Sequence, residues 1–187
     1  MKRTPSERLR KYLELAPRAP VMDRSAVAKA MKLAGVSSEI WLEFHELVGG
    51  LKDELSGGNA TWGLMFEKPD WLPKRDLEID EDPSGTFVAC VDAHPGANCW
   101  LSLSGELTIG TLEFRHYLTK FERDAFIEEL SLKESTPARL LDDERERELI
   151  KLEGLRVEEA SDAASSLYLS PTAFYIDDPD GLWRWER

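Results

Sequence analysis

Cysteine and histidine are scarce in this chain: two of the first, Cys90 and Cys99, and three of the second, His45, His94 and His116, in 187 residues. Two cysteines cannot build a disulfide framework, and their spacing fits no four-ligand zinc pattern, so both read as small core residues. The histidines show no H-x-x-x-H or H-E-x-x-H spacing, and the sequence has no Gly-x-Ser-x-Gly, no phosphate-binding glycine loop and no dinucleotide fingerprint. Gly49-Gly50 and Gly57-Gly58 lack the lysine and the strand-to-helix setting of a phosphate cradle. There is also no apolar stretch long enough for a signal peptide or a membrane span. These absences set the expectation of a cytoplasmic protein with reduced thiols, no catalytic residue set, no metal and no cofactor.

What is present is ordinary in amount and unusual in arrangement. At 42% hydrophobic and 32% charged, the chain has the composition of a folded globular protein, and its length suits one domain over residues 1–187. Charge is segregated. Residues 1–34 carry nine Lys and Arg against three Asp and Glu, net +6, while the rest carries fifteen against thirty-three, net −18. A body this acidic disfavours nucleic acid and anionic membrane and favours a cationic partner, although acidity also serves solubility alone.

The basic segment reads as a helical hairpin over residues 1–35. Thr4, Pro5 and Glu7 form a helix start, and Leu9, Tyr12, Leu13 and Ala16 form one apolar stripe that ends at Pro17 and Pro20. Asp23 caps a second helix bearing Val27, Ala30, Met31 and Ala34, with Gly35 as its left-handed stop. A third runs from Ser38 to about Val48, with Ile40, Phe44, Leu47 and Val48 on one face, Trp41 beside them, and Gly49-Gly50 ending it. The stretch to Pro73 reads as a loop with one strand, Trp62 to Phe66. Thr86 to Val91 reads as a central strand, and Cys99–Leu103 with Glu106–Ile109 as a hairpin turning at Ser104-Gly105. Phe114, Leu118, Phe121 and Ala125 mark a helix to about Leu130, with Thr119 and Glu122 as a possible later start. Thr136-Pro137 opens a charged helix closed by Gly154. Thr172–Ile176 and Leu182–Glu186 form a last hairpin around residues 177–181. The order is α+β, with a mostly antiparallel central sheet flanked by helices.

Three features stand together: Trp41-Leu-Glu-Phe-His45 on a helix closed by Val48-Gly49-Gly50, an apolar strand running into Asp92-Ala-His-Pro95, and a Trp100 strand turning at Ser104-Gly105-Glu106. In that order and spacing, residues 36–130 resemble the SUKH superfamily of Syd-related bacterial proteins. The resemblance implies an α+β fold and the role of an immunity protein (an antitoxin of polymorphic toxin systems) that protects by binding and blocking a cognate protein toxin. It brings no shared catalytic set. The resemblance does not extend to the basic hairpin before residue 36 or to the acidic extension over 131–187.

Two chemical readings compete with binding. Asp92 and His94 at a strand end, perhaps with His45, would suit a metal-dependent enzyme or small-ligand site; the favoured reading makes Asp92-Ala-His-Pro-Gly96 a turn. Arginines and lysines of the first helix would suit nucleic acid, which the acidic body opposes. The partner-binding expectation rests on acidic runs and tryptophan. Asp142, Asp143 and Glu144, with Asp177, Asp178 and Asp180, would face a cationic toxin, and Trp183 or Trp185, two apart on one strand face, would anchor it. A further acidic run spans Asp76 to Asp82. Trp41 and Trp100 are assigned to the core, together with Phe44, Phe87, Val88, Val91, Leu103 and Phe121.

Overall fold

The computed structural model describes residues 3–55, 58–66, 77–93, 98–130, 137–140, 142–163 and 165–186. It is α+β, with five α-helices and antiparallel sheets among these residues. The chain divides into two compact units, residues 13–111 and residues 1–12 with 112–187. The first helix, α1 (Glu7–Leu15), begins in one and ends in the other.

The start of α1 differs from the reading of the sequence. Ser6, not Thr4, caps it: the Ser6 hydroxyl accepts from the Leu9 N–H at 3.1 Å. Thr4-Pro5 lies one step too early because Ser6 also has the side chain that closes the first turn. The stripe itself is right, since Leu9 and Leu13 are buried.

In the unit of residues 13–111, α2 (Arg24–Leu33) and α3 (Glu39–Val48) pack together. Asp23 caps α2 by accepting from Ala26 N–H at 2.8 Å, and Ser38 caps α3 by accepting from Trp41 N–H at 3.2 Å. The C-terminus of α2 closes with Val36 N–H on Met31 O and Gly35 N–H on Lys32 O, the paired bonds that require a left-handed residue, here Gly35 at φ +77°. Gly50 is equally constrained. Its φ is +80°, and a Cβ there would lie 2.1 Å from Ala19 O. The buried face of α3 is Trp41, Phe44, His45 and Val48, whereas Ile40 and Leu47 are only half-buried. The indole of Trp41 reaches the Ser102 carbonyl at 2.8 Å, and Phe44 meets Trp62 edge-on at 6.4 Å.

Two sheets complete this unit. One has the order β1 (Lys52–Leu55), β2 (Gly58–Trp62), β5 (Val91–Ala93); the other runs β3 (Ile79–Asp82), β4 (Gly85–Ala89), β6 (Cys99–Ser102), β7 (Leu107–Ile109) within the unit. The apolar run 86–91 is therefore not one central strand. It leaves the second sheet at Ala89 and enters the first at Val91. At the changeover Cys90 N–H binds Cys99 O at 3.1 Å, while Cys90 O accepts from Gly63 N–H at 3.2 Å. A continuous apolar run suits a segment shared by two sheets as well as it suits a buried central strand, which is why the pattern misleads. The predicted strand 62–66 is displaced to β2 for the same lack of period. The β6–β7 loop holds three residues rather than two: Ser102 N–H meets Glu106 O, Glu106 N–H meets the Ser102 hydroxyl, and Gly105 takes φ +92°.

In the other unit, β8 (Leu112–Phe114) precedes α4 (Tyr117–Glu129). Neither predicted start holds; His116 caps α4, its Nδ1 accepting from Leu118 N–H at 3.2 Å. Next come β9 (Ala138–Arg139) and α5 (Asp142–Leu152), so the charged helix begins six residues after Thr136, which lies outside the described residues. A strand the sequence does not announce, β10 (Ser166–Leu169), joins β11 (Ala173–Asp178) and β12 (Gly181–Glu186) in the order β10-β11-β12-β9. Side chains alternate across this sheet. Leu167, Phe174, Ile176 and Trp185 pack with Phe126, Ile127 and Leu130 of α4, while Tyr168, Ala173, Tyr175 and Leu182 pack with Leu149 and Leu152 of α5. The sheet is thus covered by a helix on each face.

Of the expected core, Phe44, Val88, Val91, Trp41 and Phe121 are buried, but Trp100 and Phe87 are half-buried and Leu103, in the hairpin loop, is 41% exposed. Trp100 points to the sheet face opposite Val88 and Leu101, where coverage is thinner. Chemical denaturation should order the two tryptophans: Trp41→Ala is expected to cost about 3–5 kcal/mol, with Trp100→Ala costing less than half as much.

Candidate functional site

The acidic residues that the sequence offers for partner binding gather at one end of the unit that holds α5 and β11–β12. Asp142, Asp143 and Glu144 form the first turn of α5 and are exposed; carboxylates there are favoured by the helix dipole. The next residue, Arg145, turns inward, pairs with the Asp177 carboxylate and reaches Asp178 O at 3.3 Å. That pair joins the first turn of α5 to the β11–β12 turn. Two acidic runs separated by more than thirty residues of sequence therefore lie side by side.

Their carboxylates are not equivalent. Asp177 and Asp178 sit within β11 and are half-buried. Asp177 is occupied by Arg145, and Asp178 Oδ1 accepts from Asp180 N–H at 3.0 Å and from the Trp183 indole N–H at 3.3 Å. Asp180 is exposed at the turn. Trp183 is half-buried with the Arg139 guanidinium 5.6 Å from its ring centre, and Trp185 meets Phe174 edge-on at 5.3 Å. The ring of Trp185 thus belongs to the packing beneath α4.

An exposed apolar group escaped the sequence reading. Ile150 is 76% exposed and follows Asp143, Glu146 and Arg147 at helical spacing, all four on the outward face of α5. Its signal was available, since Leu149 and Leu152 fix the inward face and leave Ile150 on the other side.

A second cluster, also unannounced, lies on α4. Thr119, Lys120, Glu122 and Arg123 are buried although α4 is rich in charge. Glu122, 2% exposed, receives the Ser6 N–H at 2.7 Å on one oxygen and the Ser6 hydroxyl at 2.6 Å on the other. Burial raises its carboxyl above the ordinary range against the opposing pull of those two bonds. Arg3 donates to Thr119, and Arg8 pairs with Glu129 and lies 3.6 Å from the Phe126 ring centre. Arg123 donates to Ala160 O at 2.9 Å and to the Ser165 hydroxyl; desolvation lowers it to about 10, so it stays charged at neutral pH. Asp162, the nearest counter-charge, accepts from Arg115 N–H and Ser165 N–H.

Asp92 lies exposed on β5, and His94 lies outside the described residues. His45 is not a helix-flank residue. It is 4% exposed, its Nε2 bonded to Met22 O at 2.8 Å and its Nδ1 accepting from Leu64 N–H at 3.1 Å, so both ring nitrogens serve the backbone. No group of three or more His, Cys, Asp or Glu with metal-binding geometry occurs among the described residues, and no described helix is long and apolar enough to cross a membrane.

The Glu122 contact carries a pH signature. Because the folded carboxyl titrates above its unfolded value, the folded state favours the protonated form. That contribution is complete below the unfolded pKa and is lost as pH rises through the folded one. Glu122→Gln, which keeps an acceptor for Ser6 N–H without the charge, is expected to become progressively more stable relative to the native protein as pH rises from about 4 to about 7. Thermal melts of both proteins across this range check it; parallel profiles would contradict it.

No family model matches the chain, and neither does any curated protein or solved structure.

Proposed function

We propose that the protein is an immunity protein of the SUKH type, which neutralises a cognate protein toxin by direct binding through the outward face of α5 and the adjoining β11–β12 turn. The observation that carries this reading is the row of exposed carboxylates Asp142, Asp143, Glu144 and Glu146 on the helix that also exposes Ile150, with Asp180 at the neighbouring turn. Exposed carboxylates on the first turn and an exposed apolar side chain further along, with Arg147 and Lys151 adjoining it, suit a partner that is cationic over that turn and covers Ile150. The acids steer approach, and the covered isoleucine slows release.

The charged face is rigidly based. Leu149 and Leu152 fix α5 on the sheet, and Arg145 ties its first turn to Asp177. An interface built on a fixed helix loses little entropy on binding. Trp183, with its indole N–H held by Asp178, adds a partly exposed ring at the same end of the unit.

Co-expression with the product of the neighbouring gene tests the reading: rescue of growth and a stable complex are expected, and neither would occur if the reading is wrong. Within the complex, Asp142→Lys with Asp143→Lys should slow association and flatten its salt dependence, as screening acts over roughly 10 Å at 0.1 M ionic strength. Ile150→Ala should speed dissociation by about tenfold, corresponding to roughly 1.4 kcal/mol, with little change in association rate. Stopped-flow measurements separate the two effects.

A further inference from the structure

The register of the β4–β6 ladder places Cys90 directly opposite Cys99. The pairs Phe87 with Ser102, Val88 with Leu101 and Ala89 with Trp100 advance one residue on each strand per step, so the next pair is Cys90 with Cys99. The 3.1 Å bond from Cys90 N–H to Cys99 O continues the ladder to that pair. Opposed residues of antiparallel strands have Cα atoms about 4.5–5.5 Å apart, inside the 4.4–6.8 Å that a disulfide spans. Their side chains leave the sheet on one face, here the face of Val88 and Leu101. All four are buried, Cys90 at 0% and Cys99 at 2% exposure, and both cysteines are thiols in this structure.

We infer that Cys90 and Cys99 form a redox-responsive pair, which a low-molecular-weight disulfide such as oxidised glutathione converts to a cross-strand disulfide. Cys99 is the entry point. It is the first residue of β6 and follows the exposed Asn98, whereas Cys90 sits at the changeover with its N–H on Cys99 O and its C=O on Gly63 N–H; both are also held by neighbouring strands, Cys99 through its pairing with Ile109. Breaking the 2.9 Å bond from Gly110 N–H to Asn98 O opens β6 at its first residue and exposes the Cys99 sulfur. Its thiolate attacks the small disulfide, forming a mixed disulfide and expelling one reduced thiol. The Cys90 thiolate then attacks the Cys99 sulfur, forming the Cys90–Cys99 bond and expelling the second. Two protein thiols and one disulfide give one protein disulfide and two reduced small thiols, with both protons carried by those thiols.

The position gives the bond a consequence. Cys90 is where the chain passes from β4 to β5, so a link to Cys99 pins the changeover between two sheets. Closing a loop of about ten residues should raise Tm by roughly 5–10 °C in a chain of this size.

The test incubates the folded protein in oxidised and reduced glutathione at increasing ratios, quenches with acid and an alkylating agent, and reads non-reduced peptide masses alongside Tm. A bridged Cys90–Cys99 peptide that appears with rising ratio, disappears on adding reduced glutathione and accompanies a higher Tm is the expected result. Cys90→Ala should accumulate the glutathione adduct on Cys99, and Cys99→Ala should react at least tenfold more slowly than that variant. Stable adducts without a bridge in the native protein, disulfide-linked dimers, or no reaction at ratios that fully oxidise a control dithiol peptide would each overturn the inference. So would a bridge that forms with a fall in Tm.

Discussion

Both units depend on one constraint: a backbone N–H or C=O removed from water must find a partner where the regular ladder stops. In residues 13–111 the ladder is interrupted at two points. At Cys90 the interruption is solved by dividing the residue between sheets, its N–H going to Cys99 and its C=O to Gly63. Beside α3 it is solved by a side chain, His45, whose two ring nitrogens take up Met22 O and Leu64 N–H. An apolar residue of the same volume would leave both groups orphaned, at a cost of about 1–3 kcal/mol each. The imidazole is thus explained without any chemical role.

The same constraint accounts for the buried charge of α4. Helix termini and the 160–165 segment present backbone groups that no strand reaches, and Arg123, Asp162 and Ser6 with Glu122 meet them. Partnered charge in such a place is costly to remove one half at a time, because the remaining half stays desolvated. Arg123 nevertheless keeps one nitrogen, Nη2, without a partner. The guanidinium fork is fixed by its bonds to Ala160 and Ser165, so it cannot turn the third nitrogen toward an acceptor.

Local signals in the sequence were reliable where one residue decides the outcome. Asp23, Ser38, Gly35 and Gly50 act through their own geometry, and each does in the structure what its type implies. Periodicity located α1 to α3 and the two sheet-forming regions for the same reason. It failed where long-range partners decide. The run 86–91 has no period to reveal a change of sheet, and the four-residue strand β10, Ser-Leu-Tyr-Leu, is too short to show one, being held by Ala173–Asp178 and by the Ser161 hydroxyl on Leu167 N–H. Of the candidate site, the acidic residues were legible as composition. That Asp177 and Asp178 point inward to Arg145 and Trp183, while Ile150 points outward, depends on which face of α5 the sheet covers.

Segregated charge along the chain becomes a different distribution once folded. Arg3, Arg8, Arg18 and Arg24 of the basic segment are drawn into contacts: Arg3 with Thr119, Arg8 with Glu129, Arg18 with the carbonyls of Leu47 and Gly49, and Arg24 with Glu39 and Glu46. Carboxylates offset the charge of Arg8 and Arg24, whereas the contacts of Arg3 and Arg18 are to neutral oxygens and leave their field in place. Asp142, Asp143, Glu144 and Asp180 are exposed, and so they project theirs into solvent. For the proposed toxin complex this divides the labour: carboxylates that already bind Arg145 and Trp183 set the shape of the surface, and those that bind nothing inside the protein set the rate at which a cationic surface finds it.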